Sequence, residues 1–181
     1  EVIHLLKLKS VLVDVDYDTF TMDTDKLKAA ITPKTKAIIP VHLFGQCANM
    51  DEILKVAKDH NLHVIEDNAQ AIGADFTFSY GSVKKSGTMG IMGTTSFFPS
   101  KNLGCYGDGG AIFSNDDELA HKIRGIVNHG MYERYYHDEV GVNSRLDSIQ
   151  ATVLRKKLTL LDTYNEARRK AADYYDEAFA D

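Results

Sequence analysis

Apolar and polar residues follow two regular periods along this chain, and these periods predict strands that are joined by helices. Segment 10–16 (SVLVDVD) alternates Val and Leu with polar residues, which predicts a strand, and 23–31 (DTDKLKAAI) has an Asp cap and helical spacing. The buried run 36–41 (KAIIPV), the amphipathic stretch 49–61 and the buried run 62–67 (LHVIED) then repeat the order strand, helix, strand. This order is typical of a parallel sheet.

The second half of the chain continues the pattern after an interruption. Residues 73–93 are rich in Gly, Ser and Thr, which predicts a long loop, and TTSFF at 94–98 and the run at 109–114 predict two further strands. Residues 116–130 have acidic residues in the first turn and a Gly at the end, as a capped helix should. From Arg145 onward a helical stripe predicts one long helix. The fold class predicted is α/β, a mostly parallel sheet with helices on both faces.

Length, composition and charge limit the classes of protein to which this chain can belong. The 181 residues, 44% of them hydrophobic, predict one globular unit with a sizeable core. The net charge of -5, without a dense basic block, argues against nucleic acid as a partner. Two isolated cysteines indicate neither a disulfide framework nor a metal site, and no apolar run approaches the roughly 20 residues that cross a bilayer. A cytoplasmic protein is expected, and because the chain starts at Glu1 we expect a fragment.

Three segments carry candidate chemistry: IEDNAQAIGA (65–74), TTSFFPSKNLGCYGDGGA (94–111) and VGVNSR (140–145). Functional groups in parallel α/β sheets collect at the carboxyl ends of the strands, and the first two segments follow such ends. Asp67 and Lys101 are therefore expected to face one cleft.

An acid and an amine in one cleft suit one chemistry well. A lysine amine can form a Schiff base with an aldehyde cofactor, and a carboxylate beside a pyridine nitrogen keeps that nitrogen protonated, so that the ring withdraws electrons. Lys101 and Asp67 are the candidates for these two roles. The cofactor also carries a phosphate, and Ser96, on the strand five residues before Lys101, can supply a hydroxyl to it.

At these residues the sequence resembles the DegT/DnrJ/StrS group of sugar aminotransferases, which have fold type I. The resemblance runs from VDVDYDTFTMD through EDNAQAIGA to SFFPSKN, GDGGA and VNSRLDSIQA. It implies that pyridoxal 5'-phosphate is the cofactor and that Lys101 binds it covalently. It also implies that Asp67 faces the pyridine nitrogen, Gln70 packs near the phenolic oxygen and Ser96 binds the phosphate.

The resemblance also implies partners and missing parts. Asn143 is expected to reach the phosphate of the neighbouring subunit in a homodimer with shared active sites, and Arg145 is expected near the substrate. Similar family members aminate nucleotide-linked 3-keto uronic acid sugars, with an amino acid, glutamate, as donor. Residues 1–145 would then be an incomplete cofactor-binding large domain, and 146–181 a long helix toward an absent small domain. The fragment alone is expected to be inactive.

Three alternatives remain beside transamination. A sugar dehydratase of the same family is disfavoured because those members carry His where this chain has Lys101. A regulatory homologue without catalysis is disfavoured by the presence of Lys101 and Asp67. A dinucleotide-binding domain would need a GxGxxG motif between strand and helix, which the sequence lacks.

Overall fold

A computed structural model of the chain describes residues 2–180, which form helices and short strands. The helices are α1 (Val2–Leu5), α2 (Thr24–Ala30), α3 (Met50–Asp59), α4 (Asp117–Val127), α5 (Ser148–Leu158) and α6 (Leu161–Ala178). The strands are β1 (Ala37–Ile38), β2 (His63–Asp67), β3 (Asp75–Thr77), β4 (Val83–Lys85), β5 (Met92–Ser96), β6 (Gly110–Phe113), β7 (Met131–Glu133) and β8 (Tyr136–His137).

Four strands form the central sheet in the order β1-β2-β5-β6. The β1–β2 and β2–β5 pairs are parallel, and β6 runs antiparallel to β5 at the edge. The pairs β3–β4 and β7–β8 each form a separate two-stranded antiparallel ribbon. The predicted α/β fold with a mostly parallel sheet is confirmed.

Local capping explains where three helices begin. The side chain of Asp23 accepts hydrogen bonds from the first turn of α2, and Asn49 and Asp116 do the same for α3 and α4. Each cap satisfies backbone N–H groups that have no partner within the helix. The three predicted helices are confirmed, with ends that differ by one to three residues from the predicted ranges.

Helices α2 and α3 cover one face of the sheet. Leu27, Ile53 and Val56 belong to one buried cluster with Ile38 and Val64 of the adjacent strands. Burial of a large aliphatic side chain contributes about 1.5–3 kcal/mol, so this cluster is a main source of the stability of the sheet. It fixes the face toward which every second residue of β2 points.

The predicted strand at 10–16 is wrong. Only one isolated bridge forms there, between Val15 and Met22, and Leu12 is 94% exposed. The carboxylate of Asp16 accepts hydrogen bonds from the N–H groups of Asp18 and Thr19, which turns the chain before a second strand can pair with this segment.

Two other boundaries also differ from the prediction. In the run 36–41 the strand ends at Ile38, because Pro40 has no N–H to donate to a ladder, and Val41 adds only an isolated bridge to Asp67. The predicted loop 73–93 contains the β3–β4 ribbon and the start of β5. The strand predicted at 94–98 is therefore displaced by two residues.

The helical stripe after Arg145 forms two helices, α5 and α6, and Thr159 and Leu160 interrupt it. Leu154 of α5 and Leu161 of α6 pack with Phe97, Leu103 and Cys105 in a second buried cluster. This cluster attaches both helices to the segment that follows β5.

The division into two domains stays a prediction, and its terminal residues Glu1 and Asp181 lie outside the described range. Within residues 2–180, no helix combines the length and the apolar character that a bilayer crossing requires.

Candidate active site

The carboxyl ends of β2 and β5 lie side by side. Asp67, the last residue of β2, pairs with Thr94 of β5 in parallel register. Ser96 is two residues beyond Thr94, so its side chain lies on the same face of the sheet as that of Asp67. The sheet therefore brings together the predicted acid and the predicted phosphate-binding hydroxyl at one edge.

The half-buried carboxylate of Asp67 is held by local backbone. Its Oδ1 accepts a hydrogen bond of 3.0 Å from the N–H of Ala69, while its own N–H donates to the carbonyl of Pro40. Within residues 2–180, Oδ2 has no hydrogen-bond partner. Oδ1 is thus fixed, and Oδ2 can accept a hydrogen bond from a ligand.

Ser96 is half-buried, and its hydroxyl is oriented by the residues that follow the strand. The N–H of Phe98 donates to Ser96 Oγ at 3.2 Å. Because the oxygen is the acceptor in this bond, the hydroxyl proton is available to an anion.

Lys101 lies in a turn after β5, where its N–H donates to the carbonyl of Phe98 at 2.9 Å. Its half-buried side chain lines a cleft of about 600 Å³ together with Gln70, Ala69 and Phe44. Its amine has no hydrogen bond or ion pair with any residue from 2 to 180. The cleft is large enough for a cofactor-sized molecule.

One face of α6 forms the opposite wall of this cleft. Asn165, Arg168, Arg169 and Ala172 line it, at the spacing that places side chains on one side of a helix. Two arginines and Lys101 thus line a cleft whose described walls contain no carboxylate, although the chain as a whole is acidic. The cleft favours an anionic ligand.

Sequence reasoning missed a buried, hydrogen-bonded carboxylate beside Asp67. Glu66, with no exposed surface, accepts hydrogen bonds from the N–H groups of Gly87 (2.7 Å), Met89 (2.6 Å) and Gly90 (2.6 Å) and contacts His42 Nε2 at 2.8 Å. Burial raises the pKa of this carboxyl, but these hydrogen bonds outweigh burial and hold the pKa below its usual range. The carboxylate ties the loop before β5 to β2. The sequence offered one signal for this buried group, namely that Glu66 occupies an inward-facing position of the strand run LHVIED.

The tautomer of His42 follows from its second contact. The N–H of Ala48 donates to Nδ1 of the ring at 3.1 Å, so Nδ1 is an acceptor and Nε2 carries the proton that is donated to Glu66. The backbone N–H of His42 also donates to the carbonyl of Asp67. The hydrogen-bonded pair of His42 and Glu66 therefore supports the strand end that carries the candidate acid.

Asn143 and Arg145 lie apart from this cleft. Both are exposed, in a segment that runs beside the end of α4, where Asn143 forms an isolated bridge with Asn128. Neither lines the cleft that contains Lys101. Within the described residues, the chain therefore does not bring these two predicted site residues to the others.

Fold and site together define an α/β protein that presents an amine, a carboxylate and a hydroxyl near the ends of two adjacent strands. Comparison with known proteins is more specific: the chain belongs to the DegT/DnrJ/EryC1/StrS aminotransferase family, whose pattern matches residues 1–181.

Individual relatives agree with this assignment. The chain is 52% identical over 176 residues to the UDP-2-acetamido-2-deoxy-3-oxo-D-glucuronate aminotransferase of Pseudomonas aeruginosa, covering 97% of the chain and 48% of the relative. It is 54% identical over 167 residues to a pleiotropic regulatory protein of Geobacillus stearothermophilus, covering 92% of the chain and 44% of the relative. A crystal structure of a family aminotransferase from Brucella abortus matches with a TM-score of 0.91 and 43% identity, over 99% of the chain and 49% of that protein. The chain thus spans about half the length of these relatives.

Proposed function

We propose that the complete protein is a pyridoxal-phosphate-dependent aminotransferase that moves an amino group from an amino acid, glutamate, to a keto group of a nucleotide-linked sugar. The observation that carries the proposal is that Lys101 and Gln70 line one cleft. Gln70 follows Asp67 by three residues and Lys101 follows Ser96 by five, and the strands that end at Asp67 and Ser96 are paired, although Asp67 and Ser96 themselves do not line this cleft. Family membership and a similar aminotransferase that is named for a UDP-linked 3-oxo sugar support the same reaction.

The residues of the site fit pyridoxal phosphate. Lys101 would hold the cofactor covalently, and Oδ2 of Asp67 would accept a hydrogen bond from the protonated ring nitrogen. The hydroxyl proton of Ser96 would be donated to the phosphate, and Gln70 would contact the ring from the cleft wall. When bound, the cofactor withdraws electrons from the bonds at the substrate carbon that exchanges its amino group.

Lys101 would also move protons. When its amine is not bonded to the cofactor, Lys101 would take a proton from the α-carbon of the amino donor and return a proton as a general acid. Its half-buried position in the cleft keeps the amine near the reacting atoms while limiting access of water. The cationic side chains of Arg168 and Arg169 in the same cleft support an anionic substrate.

The remaining predicted residues fit a role between subunits. Asn143 and Arg145 are exposed, and nearby Val140 is 98% exposed, which supports a homodimer. In this dimer Asn143 would contact the cofactor phosphate of the partner subunit, and Arg145 would lie near the substrate. The proposal includes a cytoplasmic location, a large domain within 1–145 and a helical connection at 146–181. Because the chain spans about half the length of its relatives, we propose that residues 1–181 by themselves are inactive.

Covalent trapping tests the assignment of Lys101. The complete protein with added cofactor should show a visible absorption band, and borohydride reduction followed by peptide mapping should locate the cofactor on Lys101. Lys101→Ala should abolish the band and the label, whereas Lys84→Ala, at an exposed lysine of β4, should keep both. A label on another lysine of the unmodified protein would refute the proposal.

A regulatory role without catalysis is the second candidate, because a relative at 54% identity is named a pleiotropic regulatory protein. Incubation of the complete protein with glutamate and UDP-linked or dTDP-linked keto sugars separates the two, since only an enzyme yields an aminated sugar by mass spectrometry. A dehydratase would instead yield a sugar that has lost a hydroxyl group and has gained no nitrogen. The presence of Lys101 favours amination.

A further inference from the structure

Helix α6 is joined to both loops that line the cleft through one side chain. Asn102 Nδ2 donates a hydrogen bond of 2.7 Å to Asn165 Oδ1, and Asn165 Nδ2 donates one of 3.2 Å to the carbonyl of Ile72. Asn102 is the residue after Lys101, and Ile72 is two residues after Gln70. A single amide therefore bridges the turn that carries the amine and the loop that carries the glutamine.

Close packing holds this amide in place. Asn165 is half-buried, whereas the residues of α6 beside it in sequence are exposed. A Cβ added at Gly73, which has a φ of +87°, would approach Asn165 Nδ2 to 2.8 Å. Leu161, one turn earlier in α6, is buried against Leu103 of the same turn region. The geometry leaves little room for the amide to rotate away from its two partners.

An asparagine is a poor choice for the interior of a helix on local grounds. It lowers helix stability by roughly 0.5 kcal/mol relative to alanine because its side chain competes for backbone hydrogen bonds. At position 165 it uses both its acceptor and its donor outside the helix. The side chain thus serves the two loops rather than α6 itself.

We propose that Asn165 is a positioning residue for Lys101, acting through Asn102 and Ile72 to fix the distance between the turn that bears the amine and the loop that bears Gln70. This inference rests on the proposed function. Without the bridge, the turn that carries the amine samples positions from which attack on the cofactor aldehyde is slower, because small misplacements of a reacting group reduce rates strongly.

The test is the rate at which the cofactor becomes attached to Lys101. Cofactor-free complete protein is mixed with pyridoxal phosphate, and attachment is followed by absorbance and by borohydride trapping with peptide mapping. Asn165→Ala should slow attachment on the order of tenfold, while folding, by circular dichroism, is retained because alanine favours the helix. Asp173→Ala, at an exposed residue of α6, should match the unmodified protein.

Asn102→Ala provides a second route to the same conclusion and keeps the test valid if Asn165→Ala fails to fold. It should slow attachment to a similar extent, and the double variant should be no slower than either single variant, because all three lack the same bridge. Rates for Asn102→Ala equal to those of Asp173→Ala, or effects that multiply in the double variant, would overturn the inference. If the unmodified protein is never labelled at Lys101, the proposed function itself fails, which is a separate outcome.

Discussion

Replacement of Glu66 by glutamine tests whether the buried carboxylate organises the strand ends. Glutamine has nearly the same shape, so packing is preserved and only hydrogen bonding and charge change. In the present structure one carboxylate oxygen accepts from Met89 and Gly90, and the other accepts from Gly87 and His42. An amide can offer an oxygen to only one of these pairs, and its NH₂ group then faces two donors.

The expected loss is large for an isosteric change. Each buried donor left without an acceptor costs about 1–3 kcal/mol, so two such donors lower the free energy of unfolding by roughly 2–6 kcal/mol. His42 cannot relieve the conflict by moving its proton to Nδ1, since that atom already accepts from Ala48. Domains have total stabilities of about 5–15 kcal/mol, so the change is a substantial fraction of the total.

Urea unfolding of the complete protein, at fixed protein and cofactor concentration, measures this loss. Glu118→Gln is a matched control, because Glu118 is exposed in the first turn of α4, where its charge contributes about 0.3–1 kcal/mol. A midpoint for Glu66→Gln within the range of this control would show that the four hydrogen bonds are not needed.

The same pair of proteins has a defined pH dependence. Because the folded state lowers the pKa of Glu66, its charge contributes stability above the ordinary glutamate pKa, about 4.3, and this contribution is lost as the pH falls through the folded value. The stability difference between the unmodified protein and Glu66→Gln should therefore be constant near neutral pH and decrease below about pH 4.3. A difference that grows on acidification would contradict the sign of the shift.

Two further substitutions test the site and its support. Asp67→Asn keeps the hydrogen bond from Ala69 through Oδ1 but removes the charge, so cofactor should still attach to Lys101 while kcat falls on the order of 10²-fold. An unchanged kcat would exclude the proposed role of Asp67 at the ring nitrogen of the cofactor. Gly93→Ala should lower the free energy of unfolding by about 1–3 kcal/mol in a urea titration, because its Cβ would lie 2.2 Å from the carbonyl oxygen of Gly87; an unchanged midpoint would show that this loop moves freely.

The sequence correctly predicted those parts of the fold that depend on residues close together in the chain. Asp23, Asn49 and Asp116 cap helices through hydrogen bonds within three residues, so the local pattern was sufficient. The strand at 10–16 was wrong because alternation says nothing about whether a partner strand exists, and the side chain of Asp16 turns the chain instead. The β3–β4 ribbon was missed because its Gly, Ser and Lys content resembles that of a loop.

For the candidate site, too, the features that were predicted differ from those that were missed in whether they depend on contacts between distant residues. The positions of Asp67 and Ser96 at adjacent strand ends followed from the rule for parallel sheets, since it needs only the order of strands. Glu66 and Asn165 were not predicted, because their partners are distant in sequence: 24 residues separate Glu66 from His42, and 93 separate Asn165 from Ile72. Such contacts are products of tertiary packing, and no local period encodes them.

The neighbouring acids of β2, Glu66 and Asp67, point to opposite faces of the sheet, and Glu66 is the fully buried one, where it accepts three backbone hydrogen bonds. Sliding this strand by a single residue during folding would turn each acid to the opposite face of the sheet. A slip in one direction would place the shorter side chain of Asp67 at the buried position of Glu66. A slip in the other direction would place uncharged Ile65 there and leave the three backbone amides without their acceptor. Either slip leaves buried polar groups without partners, which is costly, so the hydrogen-bonded carboxylate of Glu66 also disfavours misaligned pairing of β2.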